Sequence, residues 1–241
     1  MKKLSALLVA AAMGFFPLSA VEPIISLPLN EGDLSLIKDH GKSNAKIVVE
    51  NPQFLKWSDG PDGKALEFRN PDGNSKRGNI SVKMPASFDM SKGFSMAFTV
   101  KTNKDFARKR IHTVCRFADG VFRAKGMNVF LYWDMVYFRM SDNAGEFNNI
   151  SSNTSVKKIT ADNWYNILVT FDGKTARIYC DWQLAAEGAL KVANPDKTGY
   201  LMLGSSGDGA GYGFNGIICN VNIYDRALTA NEISEIAAEN E

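Results

Sequence analysis

Few residues of this chain could do chemistry, and most of them lack partners at a working spacing. Its two histidines, His40 and His112, stand far apart, and no Gly-x-Ser-x-Gly elbow offers either of them a serine nucleophile. Glycoside hydrolysis needs two carboxyl groups facing each other across a cleft. The nearest acidic groupings, Glu31-Gly32-Asp33 and Asp142 to Glu146, sit among Gly and Asn, where solvated turns are expected. The glycine-rich run from Gly204 to Gly213 looks like a phosphate cradle, but no Lys-Ser/Thr follows it and the next segment has strand character, so it reads as a loop. Catalysis is not expected, and a divergent glycosidase or polysaccharide lyase is the least favoured reading.

The cysteines also decline a site. Cys115, Cys180 and Cys219 are widely and irregularly spaced, which excludes a close-paired zinc motif. At most one internal bridge can form, with Cys180–Cys219 the candidate. Each lies in an apolar strand pattern, where a buried free thiol is the plainer expectation.

What remains is a surface that could bind. Two apolar runs, Met127–Trp133 and Val136–Met140, form a hairpin if the chain turns at Asp134-Met135. Trp133 then opposes Val136, Leu131 opposes Phe138 and Val129 opposes Met140 on an apolar face. The other face carries Asn128, Phe130 and Tyr132 on one strand and Tyr137, Arg139 and Ser141 on the other. Sugar rings have flat C–H faces edged by hydroxyls, so aromatic rings beside planar polar groups suit them. The candidate ligand-binding residues are Asn128, Phe130, Tyr132, Tyr137 and Arg139, joined by Trp182 and Tyr212 from neighbouring loops. Cover by the 142–158 segment is the competing reading of these aromatics.

The elements that must position this set are strands. Twelve β-rich runs recur between turn residues: 24–29, 46–50, 65–68, 79–84, 94–101, 111–118, 127–133, 136–140, 164–172, 176–182, 199–204 and 214–224. That spacing predicts an all-β antiparallel sandwich or barrel. A second hairpin is expected to turn at Asp172-Gly173, setting Val169 against Ala176, Ile167 against Ile178 and Tyr165 against Cys180, with Cys180 facing the core. Thr229-Ala230-Asn231-Glu232 fits a capping box, and Ile233, Ile236 and Ala237 follow at helical spacing, so one short C-terminal helix closes the chain. No linker or composition shift divides residues 21–241, which read as one domain.

Residues 1–20 read as a short, bacterial-type signal peptide: Lys2 and Lys3, an apolar run from Leu4 to Phe16, and Ala20 at the cleavage site. The expected product is exported, to the periplasm, cell surface or medium. The full chain has 28 basic and 26 acidic residues, and loss of the leader leaves 26 of each. Without a basic excess neither nucleic acid nor an anionic membrane is an expected partner, and no later run is apolar enough to insert in a membrane.

Two motifs resemble the laminin-G-like family of concanavalin A-like jelly rolls. One is Trp164-Tyr165-Asn166-Ile167-Leu168-Val169-Thr170-Phe171-Asp172-Gly173 followed by Ala176 to Trp182. The more specific is Phe214-Asn215-Gly216-Ile217-Ile218 leading to Tyr224-Asp225-Arg226-Ala227-Leu228 and the acidic helix. Looser matches at Leu27 to Gly32, Lys38 to Gly41 and Gly63 to Phe68 extend the resemblance over residues 24–237. It implies an antiparallel jelly-roll β-sandwich whose first strand lies beside its last. It also implies a non-catalytic module that binds a glycan or mediates adhesion; a structural or protein-interaction module of the cell envelope or an extracellular assembly is the alternative. Many relatives hold a structural calcium ion (Ca2+). Here Asp39, Asn30, Glu31 and Asp208 supply oxygen ligands, but Cys219-Asn220 replaces a common acidic pair, and no other cofactor is implied. Trp182 stands where the family has a turn glycine.

Overall fold

The computed structural model describes residues 21–70, 76–106, 109–118, 126–142, 146–192, 199–205 and 212–239, so the expected leader and Asp208 lie outside the described residues. Two antiparallel sheets stack face to face. Sheet I takes β3 (Leu55–Gly60), β4 (Gly63–Arg69), β6 (Phe94–Thr102), β11 (Trp164–Phe171), β12 (Thr175–Cys180), β13 (Gln183–Ala189) and β15 (Asn215–Tyr224), in the order β13-β12-β11-β6-β15-β4-β3. The first strand, β1 (Ile25–Leu27), completes it by pairing with β15, Ile25 against Ile223, as the jelly-roll resemblance requires. Sheet II takes β2 (Ile47–Glu50), β5 (Asn79–Lys83), β7 (His112–Ala118), β8 (Gly126–Tyr132), β9 (Met135–Ser141), β10 (Phe147–Ser151) and β14 (Tyr200–Leu203), in the order β10-β9-β8-β7-β14-β5-β2.

Period-two alternation buries one face of each sheet in a shared interior. Val129, Leu131, Val136, Phe138 and Met140 of sheet II meet Phe94, Phe98, Val169, Phe171 and Ile178 of sheet I, with the Phe94 and Phe138 rings edge to face at 5.9 Å. All three cysteines are buried and free, so the Cys180–Cys219 bridge is not made. Sheet I is covered on its outer side as well. The helix α1 (Ala230–Glu239) sets Ile233 and Ile236 over Ala97, Leu168, Tyr224 and Leu228. Its start is the expected capping box: Glu232 N–H donates to Thr229 Oγ1 at 3.3 Å, and Thr229 N–H donates to Glu232 Oε2 at 2.8 Å.

Both hairpins turn near the expected place but in a register displaced by two residues. Phe171 opposes Ala176 and Ile167 opposes Cys180 in one; Leu131 opposes Val136 and Val129 opposes Phe138 in the other. A displacement of two leaves every side chain within the strands on its expected face, so Cys180 still points inward. The second turn is Trp133-Asp134, with φ of 50° and 62°, the left-handed pair a tight primed turn demands. Trp133 is therefore expelled from the apolar face and is 40% exposed.

Candidate functional site

The outer face of sheet II gathers six of the seven candidate residues. Across β10, β9 and β8 the register sets Asn149, Arg139 and Asn128 in one lateral row, with Arg116 of β7 beyond. Strands lie about 4.8 Å apart, so the three-strand row spans about 10 Å, the length of two sugar rings. Ser151, Tyr137 and Phe130 form the next row. Tyr137 lies flat on Phe130, ring centres 5.0 Å apart and planes 9° from parallel, and Tyr132 leans on Tyr137 at 6.0 Å.

Arg139 is held by rings rather than by acids. Its guanidinium lies 4.8 Å from the Phe130 ring centre and 5.2 Å from that of Phe147, a double cation–π arrangement. Burial holds the guanidinium below the usual arginine range, against the opposing influence of the Tyr137 and Tyr212 phenols. The Tyr137 phenol is raised, by burial first and then by Tyr132. Tyr212 arrives from the end of the glycine-rich run, where its carbonyl accepts from Thr113 N–H at 3.2 Å.

Two roles differ from the sequence reading. Phe130 is only 1% exposed, because Tyr137 and Arg139 lie over it; it is the floor of the site and not a contact surface. Trp182 does not join the set. It occupies the β12–β13 turn on sheet I and packs against the cluster under α1. Sequence reasoning missed Trp133 and Phe147. Trp133 was hidden by the two-residue displacement, and now sits edge to face with Tyr132 at 5.9 Å while Lys109 approaches its ring to 5.5 Å. Phe147 lies in the segment read as loop or cover, which instead forms β10 and widens the sheet beside Arg139. Beyond β10 the chain runs past the hairpin tip, where Ile159 N–H donates to the Asp134 carbonyl at 2.9 Å.

Of the four residues named for calcium, Asp208 lies outside the described residues and Asp39 is engaged within its own turn. Both Asp39 oxygens are filled by backbone and hydroxyl donors, from Ser26 and Gly41 on one and Ser43 and Ala45 on the other. Among the described residues no three His, Cys, Asp or Glu side chains are grouped to hold a metal ion.

The outer face of a jelly-roll sheet, aromatic and free of acids on its central strands, is now defined by its residues. The laminin G model of the concanavalin A-like lectin/glucanases superfamily matches residues 72–234. The chain belongs to that superfamily. Solved structures sharing the concanavalin A-like fold include the binding domain of Paraclostridial Mosquitocidal Protein 1, at 20% identity and TM-score 0.69, over 91% of this chain and 52% of that one. The binding domain of botulinum neurotoxin serotype D matches at 14% identity and TM-score 0.68, over 90% and 52%. The serotype D ligand-binding domain in complex with N-acetylneuraminic acid matches at 14% identity and TM-score 0.65, over 90% and 51%. The chain thus spans about half the length of these binding domains, and at such identities the likeness is one of fold. No curated protein sequence matches the chain.

Proposed function

We propose that the protein is an exported, non-catalytic module that binds carbohydrate on the outer face of sheet II. The observation that carries this reading is the banded surface there. The row Asn149–Arg139–Asn128 runs between Tyr137 and Tyr132 on one side and Phe147 on the other, so ring stacking and hydroxyl recognition are available side by side. The absence of acids from β7, β8, β9, β10 and β14 counts against hydrolysis at this face, which needs two facing carboxyl groups. Among the described residues no helix is long and apolar enough to cross a membrane. The leader-like residues 1–20 support export, and sequencing the N-terminus of the protein recovered outside the cytoplasm would show whether cleavage follows Ala20.

The test is a double variant, Tyr132→Ala with Tyr137→Ala, applied to a glycan array beside the wild type. Both rings stand on a half-exposed outer face, so the variant is expected to fold and to lose retention. A folded variant that keeps its array profile removes the surface from consideration. Recovery of one stoichiometric protein partner with no glycan signal would move the module to a protein-interaction role.

A further inference from the structure

Arg139 is built unlike the other charged side chains whose partners are known. Arg177 bonds Asp172 and Glu187, Arg226 bonds Glu232, and Arg69 bonds Glu67. Arg139 forms no hydrogen bond or ion pair with any described residue, and its Nε is sealed from solvent without an acceptor. Half-burying a guanidinium without an anion costs solvation that its ring contacts restore only in part. Beside it, the Asn128 Oδ1 is also buried without a donor. Two unmet groups on paired positions of two strands, a guanidinium and an amide, with the Tyr137 ring beside them, describe the complement of a ligand: a planar anion flanked by hydroxyls.

The strands of this face carry no acid of their own: no Asp or Glu occurs in the five strands β7 to β10 and β14. A carboxylate entering this face meets no fixed negative charge from these strands. A guanidinium fork matches two carboxylate oxygens at once, and its half-buried setting strengthens the pairing.

We infer that the ligand is an acidic glycan, with a sugar carboxylate seated on Arg139, an adjacent hydroxyl on Asn128 and the apolar ring face against Tyr137. This inference rests on the carbohydrate reading of the face and adds the ligand's charge. The experiment is titration calorimetry with carboxylated oligosaccharides (oligogalacturonate, a glucuronate-containing oligomer and sialyllactose), each beside its methyl-esterified form, which keeps the ring and removes the charge. One carboxylate is expected to bind at least about 10-fold tighter than its ester, the lower end of what a charge-assisted bidentate pair contributes. That ratio should fall towards one in Arg139→Gln. In Arg139→Lys, which keeps the charge and loses the fork, it should take an intermediate value. Melting curves confirm that both variants fold. Equal affinity for acid and ester in the wild type overturns the inference, as does preference for a sulfated glycan over every carboxylate. If neutral and esterified glycans bind equally well and the Tyr132→Ala, Tyr137→Ala protein loses both, the carbohydrate reading stands while the charge assignment falls. No binding to any member of the set removes both.

Discussion

Removing the Asp39 carboxylate should unfasten the turn that it heads. Asp39 is 7% exposed and sits at the head of a turn, residues 39–45, that docks on β1. Its Oδ1 accepts from Ser26 N–H at 2.9 Å and Gly41 N–H at 2.7 Å; its Oδ2 accepts from Ala45 N–H and Ser43 Oγ, each at 2.7 Å. The turn presses so closely on the strand that a Cβ on Gly41 would stand 2.7 Å from the Ile24 carbonyl. Each of the three amide bonds to a charged acceptor is worth about 1.5 kcal/mol at the low end of its range. Asp39→Ala forfeits all three, about 4.5 kcal/mol, and water entering this shallow site reduces the expected loss to about 3 kcal/mol. In a chain of this size that is roughly 6–12 °C in Tm. Asp39→Asn keeps one carbonyl acceptor but turns an NH2 group towards a donor, so about 2 kcal/mol is expected.

Burial alone would raise the Asp39 carboxyl. The bonds from Ala45, Ser26, Ser43 and Gly41 together outweigh it and hold the group below the ordinary aspartate range. With a depressed native pKa, the contribution is complete above the unfolded value near 3.9 and drains away as pH falls below it. Urea unfolding at pH 7 and pH 3, with and without EDTA, reads all of this: the gap between wild type and Asp39→Ala should narrow at pH 3 and ignore the chelator. A loss under about 1 kcal/mol would refute the hydrogen-bond reasoning. Calcium that stabilises the wild type and not the variant would make Asp39 a metal ligand instead.

Other outcomes follow from particular contacts. The Glu232 carboxyl is lowered to about 2, first by the hydrogen bond from Arg226 and then by Thr229 N–H. Its stabilisation of α1 is full above the unfolded glutamate value near 4.3 and is lost as pH falls through about 2; Glu232→Gln should cost about 1 kcal/mol at pH 7 by thermal melting, and almost nothing at pH 2. Trp133 and Trp182 both occupy left-handed turn positions, with φ of 50° and 65°, that favour Asn or Gly. Trp133→Asn should leave stability unchanged or raise it by up to about 1 kcal/mol while weakening glycan retention. Trp182→Asn should lower stability by about 1–2 kcal/mol, because its ring packs under α1. Denaturant curves for the pair decide whether strain or packing governs each turn.

The interior was legible because its strands alternate. All twelve expected runs are strands, and apart from Trp133 the faces of both hairpins are as read. The strands that escaped notice, β3, β10 and β13, all lie at sheet edges, the first and last closing sheet I and β10 closing sheet II. An edge strand has one bonded neighbour and extensive contact with water, so Phe147-Asn148-Asn149-Ile150-Ser151 and Gln183-Leu184-Ala185-Ala186-Glu187-Gly188-Ala189 lack apolar alternation and resemble loops. The candidate site was legible as a face but not in its depth. Facing is fixed by parity, whereas the burial of Phe130 depends on which residue lies directly across, and that depends on where a turn of two residues begins. Trp182 went astray for a different reason: nothing local to a turn says which of two sheets it decorates.

The sealed thiols give the molecule a built-in clock. Burial pushes Cys180 and Cys219 up to about 12 and Cys115 higher still, so none presents a thiolate while the two layers are shut. An alkylating reagent then marks only molecules that have come apart, and the rate of marking counts openings. Cys219 rides on β15, the strand that joins β1 to β6, so its protection is acquired only when the two ends of the chain meet. On the proposed route into an oxidising compartment, a chain with three thiols would depend on that closure to avoid a mispaired bridge.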